Sequence, residues 1–484
     1  MNLKRITFRN FKSLYDAEFE PGKVNVFIGA NGAGKSTILE AIGLLSAAMT
    51  DRVDDISLQR KGVRLSAPSM YKSRFKSIER TNPTVALSLE WEEETAQTFK
   101  YDVHLTTPKG DEYWKYHSET LFTDGEKKWG RSNASQKQSN NHIGFFLLDD
   151  NSELEQGRRI VKYFENYGIF QPNTLTLRGT VADPNQMTPI GLNGGRLAEA
   201  LQDIIYEKDG ELYFGSLYME DILELIDWAS DISINVPTKT RINSSIPMTR
   251  QVIEFADGFL RETAKFTGYD ASEGALYILF MLCLAMHPKA PSIFAVDSFD
   301  HALNPRLAKK LMQVFCEQIL ENDKHVFLTT HNPLVLDGLD ISNDDIRLFA
   351  VDRDKNGYAK IKRIKVSQEL IDEGQSLSRL WISGRLGGVP DLNDICLAIP
   401  CDSTEAWIVA AYDEIKEAEK IEDPWTNTIA KKKAYHDVRI QGKQKRVRVF
   451  KEFAKVVSKN WEKVTELCVS AKEFEDNILS LSGK

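Results

Sequence analysis

Residues 27–37 read FIGANGAGKST. From Gly29 to Ser36 they match GxxxxGK[ST] in full, directly after an apolar run, KVNVFIGA (23–30), and directly before STILEAIGLLSAAM (36–49), whose apolar residues recur at helical spacing. Strand, glycine loop and helix in that order make a phosphate site. The glycines let backbone N–H groups turn toward a phosphate, and the helix adds its positive N-terminus. Lys35 can reach the outer phosphates and Ser36 can offer its hydroxyl to Mg²⁺. Asn31, Gly32, Gly34 and Thr37 complete the expected contact set for ATP. A chance glycine turn is the competing explanation, and the flanking strand and helix argue against it.

Such a loop needs a metal-positioning acid at the end of a buried strand. Asp297 closes PSIFAVD (291–297) and stands in that place; its competing role is a helix N-cap. Around it the chain alternates strand and helix signals: a buried helix ALYILFMLCLAM (275–286), a helix from 305, the strand HVFLTT (325–330), then HNPLVLDGL. Upstream, LKRITFRNF and KVNVFIGA, separated by the turn FEPGK, suggest neighbouring strands, and 84–105 alternates like an antiparallel pair. The polar tract 123–142 reads as a surface loop. Residues 150–265, with RLAEALQDII and SLYMEDILELIDWA, read as an inserted, mainly helical lobe.

Composition sets the limits. With 484 residues, 42% hydrophobic and 27% charged, the chain has room for two or three domains and the make-up of a globular protein. The apolar helix at 275–286 is shorter than a membrane span, and the N-terminus lacks the apolar core of a signal peptide, so no membrane contact and a cytoplasmic location are expected. Cysteines 283, 316, 396, 401 and 468 form no CxxC pair, which fits a reducing compartment. A net charge of −8 disfavours general polyanion binding and leaves any nucleic-acid contact to a local patch. The one basic run is KKKAYHDVRIQGKQKRVRVFK (431–451), from Lys431 to Lys451, which suits either backbone phosphates or a solvated face.

GANGAGKST, Ser272-Glu273-Gly274 at a helix head, VDSFDHALNP and TTHNP together resemble the phosphate loop, signature, Walker B with D-loop, and switch histidine of ABC-type ATPases. More narrowly, with LKRITFRNFKSL at the start, they resemble the RecF/SMC-like branch that includes OLD-type and other prokaryotic defence ATPases. The resemblance covers 1–50 and 265–340. It implies an α/β fold, a P-loop NTPase of ABC ATPase-head type with a mixed central sheet, and heads that dimerise face to face around ATP and Mg²⁺. On that basis Ser272 and Gly274 contact the γ-phosphate held by the other head, His331 senses it, Gln171 in GIFQPN stands as the Q-loop, and Phe11, Lys12 and Ser13 line the nucleotide pocket. LAIPCDSTEAWIVAAYDE (397–414) resembles the distal part of TOPRIM-like defence proteins, but only Asp402 and Glu405 stand near that motif and no glutamate-plus-DxD set precedes it.

The chain departs from the family at 298, where Ser298 replaces the usual catalytic glutamate after Asp297. A serine hydroxyl is not basic at neutral pH, so a slow ATPase, or one that uses Asp300 two residues on, is expected. The expected division is 1–149 (N-lobe), 150–265 (inserted lobe), 266–392 (C-lobe) and 393–484 (a small α-rich C-terminal segment). The favoured reading is a defence ATPase that dimerises and controls an effector protein, because 150–265 lacks the sustained heptads of an SMC-length arm, the net charge is −8 and the C-terminal segment resembles defence proteins. A RecF/SMC-like DNA clamp is the alternative, and a scaffold that uses ATP only to assemble is the third.

Overall fold

The computed structural model describes residues 1–50, 52–79, 82–106, 114–132, 152–237, 251–261, 265–365, 376–388, 457, 459–467 and 471–472. Its two compact units are Met1–Pro390 and Asp391–Lys484. The expected boundaries at 149/150 and 265/266 lie inside the first unit.

In chain order the first unit begins with strands β1 (Asn2–Phe11), β2 (Leu14–Phe19) and β3 (Val24–Ile28), then helices α1 (Lys35–Thr50) and α2 (Asp55–Arg60). Strands β4 (Thr84–Glu92), β5 (Thr98–Thr106), β6 (Lys115–Thr123) and β7 (Glu126–Ser132) follow, then α3 (Ser152–Glu165), β8 (Ile169–Phe170), α4 (Thr174–Leu177) and α5 (Leu197–Ile204). Next come β9 (Ile205–Lys208), β10 (Glu211–Phe214), β11 (Leu217–Tyr218), α6 (Met219–Leu223), β12 (Ala229–Asn235), β13 (Val252–Asp257) and β14 (Lys265–Thr267). The unit closes with α7 (Glu273–Met286), β15 (Ile293–Val296), α8 (Pro305–Glu321), β16 (His325–Thr329), α9 (Pro333–Leu336), β17 (Ile346–Arg353), β18 (Ala359–Ile364) and α10 (Leu377–Ile382). In the second unit the described helix is α11 (Trp461–Leu467), with Val464 and Ala471 buried.

The central sheet runs β18-β17-β3-β16-β15-β8, parallel throughout except for β18 at one edge. Every residue of β3 is buried, as a parallel strand covered on both faces requires. Val24, Val26 and Ile28 face the core shared with α7 and α8, whereas Phe27 faces α1. Asn25 is the polar exception in β3. Its amide donates to Gly22 O (2.8 Å) and Val326 O (3.1 Å) and accepts from Gly22 N–H (2.8 Å), which removes the cost of burying it.

Helix α7 is apolar all round, and its residues from Ala275 to Met286 are all buried, the behaviour expected of a helix enclosed on every side. Ser272 caps it by accepting from Ala275 N–H. Helix α8 is two-faced instead: Asn304 caps it, Pro305 opens it, and Leu311, Met312, Phe315 and Ile319 point inward. On the other side of the central sheet, α1 is enclosed between that sheet and a second, antiparallel sheet ordered β2-β1-β4-β5-β6-β7. Leu87, Leu89, Trp91, Phe99 and Tyr101 of that sheet share one apolar cluster with Ile38, Leu39 and Ile42 of α1. Burial of apolar surface on both sides of α1 anchors the helix that the glycine loop leads into.

Three expectations are corrected. LKRITFRNF and KVNVFIGA are not neighbouring strands: β1 pairs with β2 and β4, and β3 belongs to the central sheet, because LYDAEF forms a hairpin partner for β1 before the FEPGK turn. The polar tract from 123 is not all loop, since Asp124 and Gly125 turn the chain with positive φ and β7 pairs back on β6. Residues 150–265 hold helices α3 to α6 but also strands that form two three-stranded antiparallel sheets, β11-β10-β9 and β12-β13-β14, the second completed by β14. Strands of two to seven residues leave too few alternations to stand out beside helical stretches. No helix among the described residues is long and apolar enough to cross a membrane.

Candidate functional site

The carboxyl ends of β3, β8, β15 and β16 open onto one corner of the central sheet, the usual place for a ligand in such a sheet. Asp297, just past β15, is the hub of that corner. Its Oδ1 accepts from Ser36 Oγ of the glycine loop (3.1 Å) and from Thr329 Oγ1 at the end of β16 (2.6 Å). Its Oδ2 accepts from Gln171 Nε2, just past β8 (3.0 Å). Ser36, Asp297 and Gln171 were anticipated from the sequence, and the fold brings them together. Thr329 was missed. Its signal was the TT pair that ends the buried strand before HNP.

A hydroxyl and a carboxylate in contact supply the oxygen donors that Mg²⁺ prefers, and a P-loop cation takes its remaining ligands from phosphates and water. No group of three or more His, Cys, Asp or Glu among the described residues forms a self-contained metal site. Ser36 and Asp297 therefore fit an ion that arrives with a nucleotide.

The glycine loop leaves Asn31 and Gly32 exposed at its tip and turns Gly34 and Lys35 inward. Lys35 donates to the carbonyls of Gly29 (2.8 Å) and Ala30 (3.1 Å). Burial brings its pKa down to about 8, against the opposing pull of Asp297 and Asp300. Gly34 has φ +123°, and a Cβ there would lie 2.8 Å from Ser13 Oγ and 3.1 Å from Ala359 Cβ. Ser13 thus abuts the loop. Phe11 is fully buried core, and Lys12 pairs with buried Glu40 at 2.6 Å; Arg64 reaches the same carboxylate at 2.6 Å. The loop is also braced from outside α1: Gly388 donates its N–H to Asp352 (2.9 and 3.1 Å), and a Cβ on Gly388 would come within 3.1 Å of Gly29 Cα.

Beyond Asp297 the backbone bends sharply. Ser298 adopts φ +65°, its N–H donates to Thr329 Oγ1 (2.8 Å), and Tyr277 OH donates to the carbonyls of Ser298 (3.3 Å) and Phe299 (3.0 Å). The bend presents Asp300 to the next strand end, where its Oδ1 accepts from Thr330 Oγ1 (2.8 Å) and His331 N–H (3.1 Å). Asp300 and His331 are therefore neighbours, and these hydrogen bonds of Ser298 run through its backbone. Ser272 and Gly274 meet other groups: Ser272 caps α7, and a Cβ on Gly274 would lie 3.2 Å from Ala302 O. Glu273 between them bonds Thr174 Oγ1 and stands 3.5 Å from His301 Nε2. The 397–414 segment and the basic run 431–451 lie outside the described residues.

A family model described as "AAA domain, putative AbiEii toxin, Type IV TA system" matches residues 24–337, more than half of the chain and the whole stretch from β3 to α9. The chain belongs to that family. The matched stretch of this AbiEii-type AAA domain contains the glycine loop Gly29–Ser36 and Asp297. The chain is 48% identical over 54 residues to the DNA replication and repair protein RecF of Magnetococcus marinus, 11% of this chain and 14% of that protein. It is 35% identical over 77 residues to the DNA double-strand break repair Rad50 ATPase of Saccharolobus solfataricus, 16% of this chain and 9% of that one. The matches thus span only a small part of these relatives' length. Among solved structures, the SMC head domain from Thermotoga maritima aligns with TM-score 0.39 and 15% identity, over 76% of this chain and 100% of that one. The Smc head of Pyrococcus furiosus, with an extended coiled coil and bound to the C-terminal domain of ScpA, aligns with TM-score 0.43 and 12% identity over 77% and 98%.

Proposed function

We propose that this AbiEii-type AAA domain is an ATP-binding switch. Two copies dimerise through their heads, with each ATP and its Mg²⁺ held by Lys35, Ser36 and Asp297 of one copy and by Ser272 and Gly274 of the other. The assembly regulates or scaffolds an effector protein in prokaryotic anti-phage defence. The observation that carries this reading is the Asp297 hub, which ties the glycine loop, the Gln171 strand end and Thr329 to one carboxylate. Phosphate charge or Mg²⁺ arriving there alters all three tethers together. Mg²⁺ supplies charge neutralisation at the outer phosphates when bound.

Hydrolysis is slow in this reading because Ser298 offers no base next to Asp297. Asp300 takes over the orientation of water: two donors fix its Oδ1, and His331 beside it follows the γ-phosphate. The toxin and toxin–antitoxin wording of the family description supports control of an effector. Similarity to RecF and Rad50 favours a second reading, a RecF/SMC-like DNA-binding clamp in repair or maintenance, in which 431–451 contacts phosphates.

Mass measurement with and without ATP and Mg²⁺, alongside phosphate release, tests the switch. The expected result is an ATP-dependent dimer with slow turnover, abolished by Lys35→Ala and lowered about 100-fold by Asp300→Ala, the scale of a lost general base. Brisk turnover that Asp300→Ala leaves intact overturns both the slow switch and the role of Asp300. Co-purification separates the two biological readings: a stoichiometric protein supports the effector, and tightly held nucleic acid supports the clamp.

A further inference from the structure

Away from the nucleotide corner, the small sheet β11-β10-β9 carries a ladder of three tyrosines. Tyr213 lies directly opposite Tyr206 on one side and Tyr218 on the other, so all three rings stand on one face. Tyr206 and Tyr213 are stacked at 5.4 Å and 8°, and Tyr213 and Tyr218 lie 4.9 Å apart at 33°. The other face sends Ile205, Leu212, Phe214 and Leu217 into the main core, which leaves the tyrosine face turned outward. Tyr206 is 46% exposed and Tyr218 50% exposed. Tyr206 OH already donates to Gly215 O (3.1 Å), so the ring, more than the hydroxyl, is what this residue offers a ligand.

Charge selects the ligand. Between 205 and 224 the chain carries Glu207, Asp209, Glu211, Glu220, Asp221 and Glu224 against a single base, Lys208. Glu207 lies opposite Leu212 on the other face, Lys208 lies opposite Glu211 in the ladder, and Lys310 pairs with Glu224 at 3.0 Å. Among the described residues this leaves Asp209, Glu220 and Asp221 as the carboxylates around the tyrosine face with no cation paired to them. Aromatic faces attract ammonium and guanidinium groups, and surrounding carboxylates strengthen that attraction while repelling nucleic acid. We propose that this face docks a lysine- or arginine-rich segment of a protein partner, its cationic side chains resting on the tyrosine rings within the acidic rim.

Fluorescence anisotropy of the full chain with a short labelled peptide of alternating Arg and Ser tests the docking face. A proline-rich uncharged peptide and an oligo-dT of similar length serve as competing occupants. The Arg/Ser peptide is expected to bind, about three-fold more weakly after Tyr206→Ser or Tyr218→Ser and about ten-fold more weakly after both. Glu220→Gln with Asp221→Asn should weaken it further and flatten its salt dependence. Should the double tyrosine variant lose its thermal transition, Glu220→Lys repeats the test without altering the ladder. Absence of binding, unchanged affinity in the soluble double tyrosine variant, unchanged affinity after Glu220→Lys, or equal binding of the proline-rich peptide or oligo-dT each overturns the proposal.

Discussion

ATP should bind about ten-fold more weakly at pH 9 than at pH 7, with the loss carried by one side chain, because a one-unit pKa step is worth about 1.4 kcal/mol. In the free protein the buried Lys35 has a pKa near 8, so it is mostly charged at pH 7 and mostly neutral at pH 9. A bound triphosphate beside the ammonium favours the charged form and lifts that pKa again. Binding therefore takes up a proton, and affinity is present below about pH 8 and fades above it. At pH 8 the uptake should be about half a proton per site, since half of the free lysines are neutral there. Calorimetry with a slowly hydrolysed ATP analogue and saturating Mg²⁺, in two buffers of different ionisation enthalpy, reads this number directly. Zero uptake at pH 8 together with a flat Kd from pH 7 to 9 would refute the reasoning. The same shift has a second sign-fixed consequence: the unfolded chain holds this proton more tightly, so nucleotide-free stability gains from Lys35 as pH rises from about 8 toward 10.5.

Ser298→Gly should raise stability by about 1 kcal/mol, since glycine accepts the left-handed conformation at that position without penalty; a higher urea midpoint checks it. Gly34→Ala should abolish tight nucleotide binding at a cost of about 1–3 kcal/mol, and Ser13→Gly should fail to rescue it, because positive φ remains after the clash is relieved; fluorescent-nucleotide titration reads both. Glu40→Gln removes the charge that Lys12 and Arg64 share, and a loss of about 3 kcal/mol in urea denaturation is expected, most of it from the less exposed Lys12 pair.

The nucleotide corner was legible where its signals are local. GxxxxGK[ST] between an apolar run and a helical period, Asp297 at the end of four apolar residues, and Asn304-Pro305 opening α8 each announce themselves within a dozen or so positions. Pairings between distant residues were not legible. LKRITFRNF and KVNVFIGA are both good strands, and only the packing of α1 between two sheets decides that they part company. The same holds for Thr329, whose hydroxyl matters because β16 lies beside β15, and for Asp300, whose reach depends on the left-handed bend at Ser298. Serine at 298 reads from sequence as a missing glutamate; its conformation is a property of the folded loop. Strand β7 was hidden by its composition, since EKKWGRS is polar and charged enough to resemble a loop.

The contact of Gly388 on Gly29 bears on how the ATPase unit can be isolated. Residues 384–388 follow α10, whose Leu380 and Trp381 are buried, and they end with a backbone amide clamped by Asp352 against the first glycine of the phosphate loop. A fragment trimmed after β18, at the edge of the central sheet, retains every sequence motif of the nucleotide site and loses this outer brace. Recombinant fragments meant for nucleotide work should therefore extend through Gly388, and weak ATP retention by a shorter piece reports on the position of the cut.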